Sequence, residues 1–179
     1  QHSHNNQVEE KPLINPRQRK WNKIFKHCAS PKLLKRKGIK NVYHFQWWES
    51  YRFDDFIFSF TPVQHWSKRT LFDRNKSLWG GWYIKHKDYS LYHAGDTGYS
   101  KDFVDTKERL GAPKYAFIPI GAYDPEWFMS ESHVNPEDAV QIMIDLEAKK
   151  AFGMHWATFV LTDEDTIEPK IRLEEAIKR

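Results

Sequence analysis

The residues able to do chemistry stand at the ends of three short apolar runs. The stretch from Ser90 to Tyr99, SLYHAGDTGY, alternates apolar residues through Leu91, Tyr92 and Ala94 and then breaks at Gly95-Asp96-Thr97-Gly98. That pattern predicts a strand handing one carboxylate, Asp96, to a glycine-permitted turn. His65 follows the run from Phe56 to Val63, and His155 follows Ala151-Phe152-Gly153-Met154. Imidazole nitrogen and carboxylate oxygen are the usual non-sulfur ligands of zinc, so His, Asp and His at three strand ends form the cluster that a hydrolytic zinc site needs. An Asp beside Gly is in isolation more often a turn residue bonded to its own backbone, and Asp96 gains its meaning from the two histidines.

These residues need elements to position them. Residues 9–38 read as helix interrupted by Pro12, Pro16 and Pro31, and Ile39 to Phe45 as a strand. A hairpin is predicted with Asp54-Asp55 at its turn and Phe56 to Phe60 returning, and a second from Trp82–Ile84 to Ser90–His93. Ser100 can cap a helix over Asp102 to Leu110 that Gly111 ends, and Tyr115 to Ile120 is a buried strand. The aromatic stretch Gly121 to Val134 is expected to form a pocket wall. Asn135-Pro136-Glu137-Asp138 starts a helix whose Ala139, Ile142, Met143 and Leu146 make a core stripe, and Pro169 to Lys178 is a terminal amphipathic helix. The order strand, helix, strand, helix, strand, helix predicts an α/β layered half-sandwich with a mixed sheet and flanking helices.

Composition narrows the function classes. The chain has 179 residues, 40% hydrophobic and 16% aromatic, enough for one domain with a core. A single cysteine, Cys28, excludes an intramolecular disulfide and a cysteine-based zinc cluster. No run approaches the roughly 18 apolar residues of a membrane span and no signal-peptide core is seen. The expected location is therefore cytoplasmic or peripheral on the inner membrane face. The net charge of +4 is uneven, because Lys11 to Lys40 is basic without any acid while Asp163 to Glu175 is rich in acids. The basic block suits an anionic lipid surface or a solvated helix face; without an RNA-binding signature or zinc finger beside it, no nucleic-acid partner is expected.

The motifs PVQHWSKRT, LWGGW, HAGDTGY, PIGAYDPEWFM, HVNPEDAV and HWATF, in this order, resemble the N-acylphosphatidylethanolamine-hydrolysing phospholipase D family of the metallo-β-lactamase superfamily. The resemblance runs from about Gly38 to the C-terminus and includes bacterial members. It implies an αββα sandwich of which this chain is the C-terminal half, so that residues 1–179 are expected to form a single, N-terminally incomplete domain. It also implies two zinc ions held by an H-x-H-x-D-H motif and later His, Asp and His residues. The later three map onto His65, Asp96 and His155, with Asp96 bridging the metals and acting as a catalytic residue; His2 and His4 stand at the first two positions of the early motif. Asn6 and Gln7 occupy the positions of its Asp and last His, and neutral amides are poor zinc ligands. One tight zinc site is accordingly expected.

The activity so implied is phosphodiester hydrolysis of a phospholipid, releasing an N-acylethanolamine and phosphatidic acid, a step of lipid metabolism. His133 matches a catalytic or head-group-binding histidine of the family, and equally suits a surface position before a helix. Trp66, Trp82, Trp127 and Phe128 are candidates for acyl-chain contact, each also suited to the core. A homodimer is allowed by the resemblance. Two alternatives stand: a hydrolase of the same fold acting on a lactone or another phosphodiester, and a catalytically impaired protein that serves as a lipid-binding scaffold.

Overall fold

The computed structural model describes residues 23–25, 41–68, 72 and 74–178, with backbone alone at 23–25, 41 and 42. Two short strands, β1 (Lys23–Phe25) and β2 (Asn41–Tyr43), pair in parallel. Residues 23–25 were expected to be helical, and the structure corrects this. Ile24 and Phe25 are β-branched and aromatic, types that favour extended backbone. The remainder of the predicted helical region, most of the basic block, and His2, His4, Asn6 and Gln7 lie outside the described residues.

The main sheet begins with a hairpin. Strand β3 (Ser50–Phe53) turns at Asp54, in the left-handed region at φ 56°, and returns as β4 (Phe56–Thr61) with Phe53 opposite Phe56. Asp is among the few residues that tolerate this conformation. β5 (Gly81–Lys85) pairs antiparallel with β4 and with β6 (Ser90–His93). From there the connections pass through helices and the pairing turns parallel, as crossover geometry requires. Helix α1 (Asp102–Leu110) leads to β7 (Tyr115–Pro119). The short α2 (Glu126–Met129) and the longer α3 (Pro136–Asp145) lead to β8 (Lys150–Met154), and α4 (Glu168–Ala176) follows. The strands lie in the order β3-β4-β5-β6-β7-β8 in one mixed sheet.

One face of this sheet is the core. Tyr83, Tyr92, Ala116 and Ile118 occupy alternate strand positions and are buried with Phe103 of α1 and Ala139, Ile142 and Leu146 of the α3 stripe. Asn135 caps α3, its Oδ1 accepting the Asp138 N–H at 2.8 Å, and Pro136 takes the first helical turn. The opposite face carries aromatic rings, with Phe117 stacked on Phe152 at 5.2 Å and on His93 at 6.4 Å. Among the described residues no helix is long and apolar enough to cross a membrane.

Candidate metal centre

Three loops at one edge of the sheet are knitted together by hydrogen bonds that end on backbone carbonyls. The Gly98 N–H donates to Gln64 O at 2.7 Å, Gln64 Nε2 donates to Glu131 O at 3.2 Å, and the Val134 N–H donates to Thr97 O at 2.9 Å. This fastens the loop after β4, which holds His65, to the loop after β6, which holds Asp96, and to the stretch that holds His133. Glycine is required at position 98, since a Cβ there would stand 2.6 Å from Ser130 O and 2.8 Å from Glu131 C. The end of β7 meets the end of β8 in the same way. Ile120 N–H donates to Met154 O at 3.0 Å, and a Cβ on Gly121 would lie 2.5 Å from His155 O.

The side chains converge on this edge. His155 Nε2 lies 3.4 Å from Asp96 Oδ1. The His133 ring stands between the other two histidines, 5.3 Å from the His65 ring centroid and 5.5 Å from that of His155. His65 Nδ1 lies 2.6 Å from the Trp66 carbonyl, which makes it the protonated nitrogen and leaves Nε2 with a bare lone pair. That Nε2, His133 Nδ1 and His155 Nδ1 are all buried without a hydrogen-bond partner among the described residues. Burial, then the neighbouring His65 and His155, push the His133 pKa down to about 4 against the pull of Asp96, so its ring is neutral near pH 7. Backbone strain gathers here too: Ala122, His155 and Ala157 are left-handed at φ 65°, 60° and 57°, each at a cost of roughly 1–2 kcal/mol. Such strain is typical of functional sites held by their surroundings.

The aromatic candidates divide. Trp66 stacks on His65 at 5.9 Å, and the Arg74 guanidinium lies 5.8 Å from its ring centroid, a partner that sequence reasoning missed. Trp127 and Phe128 stand on α2 and are 83% and 66% exposed. Trp82 packs against Phe45 and Phe60 at 4.9 and 5.0 Å, a packing position within the sheet. The pocket wall expected from Gly121 to Val134 contributes Ala122 to a cleft that is also lined by His155, Trp156, Phe159, Leu161 and Glu164. Glu164, nine residues beyond His155, was hidden in a stretch read only as acidic.

The donor chemistry of His65, Asp96 and His155 fits a zinc-type ion: imidazoles with unpartnered nitrogens beside a carboxylate, one of them held in a fixed tautomer by a backbone carbonyl. No group of three or more His, Cys, Asp or Glu among the described residues has the geometry to hold a metal by itself.

A family model described as "Beta-lactamase superfamily domain" matches residues 17–156. The chain is 46% identical over 144 residues to the mitochondrial N-acyl-phosphatidylethanolamine-hydrolyzing phospholipase D of Saccharomyces cerevisiae, covering 76% of this chain and 31% of that protein. It is 36% identical over 173 residues to N-acyl-phosphatidylethanolamine-hydrolyzing phospholipase D 1 of Caenorhabditis elegans, covering 90% of this chain and 48% of that one. The chain thus spans about a third to a half of these relatives. Igni18, a metallo hydrolase from the archaeon Ignicoccus hospitalis, superposes with a TM-score of 0.65 at 26% identity, over 86% of this chain and 61% of its own. The metallo-beta-lactamase fold protein YhfI of Bacillus subtilis, at 15% identity and a TM-score of 0.61 over 86% of this chain and 58% of its own, shares the fold. The chain belongs to the metallo-β-lactamase superfamily, alongside the N-acylphosphatidylethanolamine-hydrolysing phospholipases D.

Proposed function

We propose that the protein carrying this chain is a zinc-dependent phosphodiesterase that hydrolyses N-acylphosphatidylethanolamine to an N-acylethanolamine and phosphatidic acid. The observation that supports it most is the convergence of His65, His133 and His155, each with a buried ring nitrogen unpartnered among the described residues, near Asp96 in a chain so similar to two phospholipases of that name. His65, Asp96 and His155 would hold zinc, completed by ligands outside the described residues. When bound, zinc supplies water activated near neutral pH and neutralises phosphoryl charge. The chain's own residues do the rest. The Trp66 carbonyl keeps the His65 proton on Nδ1, and the 3.4 Å approach of Asp96 to His155 fixes both side chains at the strand ends. His133, between the two histidines, is placed to hydrogen-bond the substrate head group, and exposed Trp127 and Phe128 offer apolar contact to acyl chains.

The test is hydrolysis of N-acylphosphatidylethanolamine in vesicles by the full-length protein, before and after chelation and zinc restoration, beside a lactone panel. His155→Ala should lower kcat by about 100-fold or more, since a ligand should matter at least as much as the outer-shell partners whose loss costs 10–100-fold. Lactone turnover without phospholipid turnover would replace the proposal with the same-fold alternative. Asn6 and Gln7 favour a second reading, a weakened one-zinc form or a lipid-binding scaffold. Zinc per chain, near one or near two, separates it from a full binuclear enzyme.

A further inference from the structure

The segment that follows the site histidine folds back on the site. After His155 the chain passes through left-handed Ala157, and Asp163 N–H donates to Asp124 O at 3.4 Å. The next residue, Glu164, places its carboxylate across the turn after β7. Oε1 accepts the Ala122 N–H at 2.5 Å and Oε2 accepts the Asp124 N–H at 3.2 Å. Ala122 is the left-handed, buried residue of that turn, and its neighbour Gly121 is pressed onto the His155 carbonyl. A charged acceptor on two backbone donors makes a short, strong clamp. We infer that Glu164 is a positioning residue for the metal centre: by clamping Ala122 and Asp124 it holds the Gly121–Asp124 turn against the His155 backbone and so fixes His155 beside Asp96.

Among the described residues, Glu164 is the side chain that accepts from both turn amides, Ala122 N–H and Asp124 N–H. Ala122 has no β-branch or polar side chain to favour its left-handed backbone, so the conformation depends on what its N–H is bonded to. Glu168, four residues on in the same acidic stretch, does a different job: it accepts the Tyr123 hydroxyl at 3.0 Å and leaves both turn amides alone. Glu168→Gln is therefore the matched control.

The role rests on the reading of His155 as a metal ligand, and the experiment separates the two. Full-length parent, Glu164→Ala, Glu164→Gln and Glu168→Gln are loaded with cobalt(II) and compared by visible absorption. Amide hydrogen exchange at Ala122 and Asp124 is followed in the metal-free proteins, and kcat and KM are measured separately. Glu164→Ala should speed exchange at both amides, alter the cobalt spectrum and lower kcat by roughly 10–100-fold with KM changing less, the range for outer-shell support. Glu164→Gln, keeping one oxygen acceptor, should fall between, and Glu168→Gln should match the parent in spectrum and exchange. A Glu164→Ala protein with parental cobalt spectrum and kcat overturns the positioning role. If Glu164→Ala fails to fold, the Gln variant decides: parental spectrum and exchange there also overturn it. Absence of phospholipid hydrolysis in the parent would strike the proposed function, while the cobalt and exchange results would still judge Glu164.

Discussion

Gly98 shows how a single missing Cβ builds the site. The loop carrying Asp96 can lie against Ser130 and Glu131 because nothing projects from position 98, and the atoms in the way are backbone, which cannot rotate aside. The His133 stretch is held to that loop through Val134 N–H and Thr97 O, so a displaced Gly98 displaces both. Gly98→Ala should destabilise the fold by about 1–3 kcal/mol, the usual cost of overpacking, as read by chemical denaturation. Unchanged stability would mean the 130–131 backbone has slack that the structure does not show. Gly111 offers the contrast: it is left-handed at φ 91° with open space around its Cβ position, so its requirement is conformational alone.

Elements were legible where the signal is local. Asp54 at a hairpin turn, Asn135-Pro136 at a helix start and the Ala139, Ile142, Leu146 stripe all act within a few residues, and the structure places each as its pattern implies. That Asp96, His65 and His155 stand at strand ends was legible from the apolar runs before them, and strand ends on one sheet share an edge, where His155 meets Asp96 and the His133 ring lies near both other histidines. What the sequence hid is contact across distance. Glu164 reaches Ala122 over 42 positions, and Arg172 forks from α4 to Glu126 at 2.5 Å and Glu137 at 2.7 Å, tying α2 to α3. No periodicity encodes such pairs. At this scale α3 should reveal the difference between cap and core. Asn135→Ala removes one capping acceptor and should cost about 1 kcal/mol. Ile142→Ala, in a fully buried position, should cost about 2–5 kcal/mol. Equal losses in equilibrium unfolding would show that Asn135, which also donates to Glu126 Oε2 at 3.2 Å, supports more than its own helix.

Across the whole molecule, the sheet changes from antiparallel hairpins to parallel crossovers at β6, and the candidate site gathers where the chain leaves β6 and β8. Open sheets commonly place their sites beyond the carboxyl ends of parallel strands. The core that supports this edge lies on the helix-covered face, and two carboxyl groups whose pKa values are shifted, Glu164 on the turn after β7 and Asp138 in α3, make the fold's stability a function of pH. Burial alone would raise the Glu164 carboxyl, but hydrogen bonds from the Thr162 hydroxyl and the Ala122 and Asp124 N–H groups outweigh it and hold the group below the ordinary glutamate range. Its folded pKa is depressed, so its stabilisation is present above the unfolded value and is lost as pH falls through the folded one. Asp138 is the reverse: burial, then nearby Glu126 and Glu137, raise it above the ordinary aspartate value, partly offset by Arg172. Its contribution is greatest below that value and is lost as pH rises through the raised one. The two groups should therefore move thermal midpoints in opposite directions. From acid towards neutral pH, the midpoint of Glu164→Gln should drop progressively below that of the parent, while the midpoint of Asp138→Asn should gain on it. Thermal unfolding of the metal-free proteins across this range reads both differences, and two flat or parallel trends would show that neither carboxyl is perturbed as its surroundings imply.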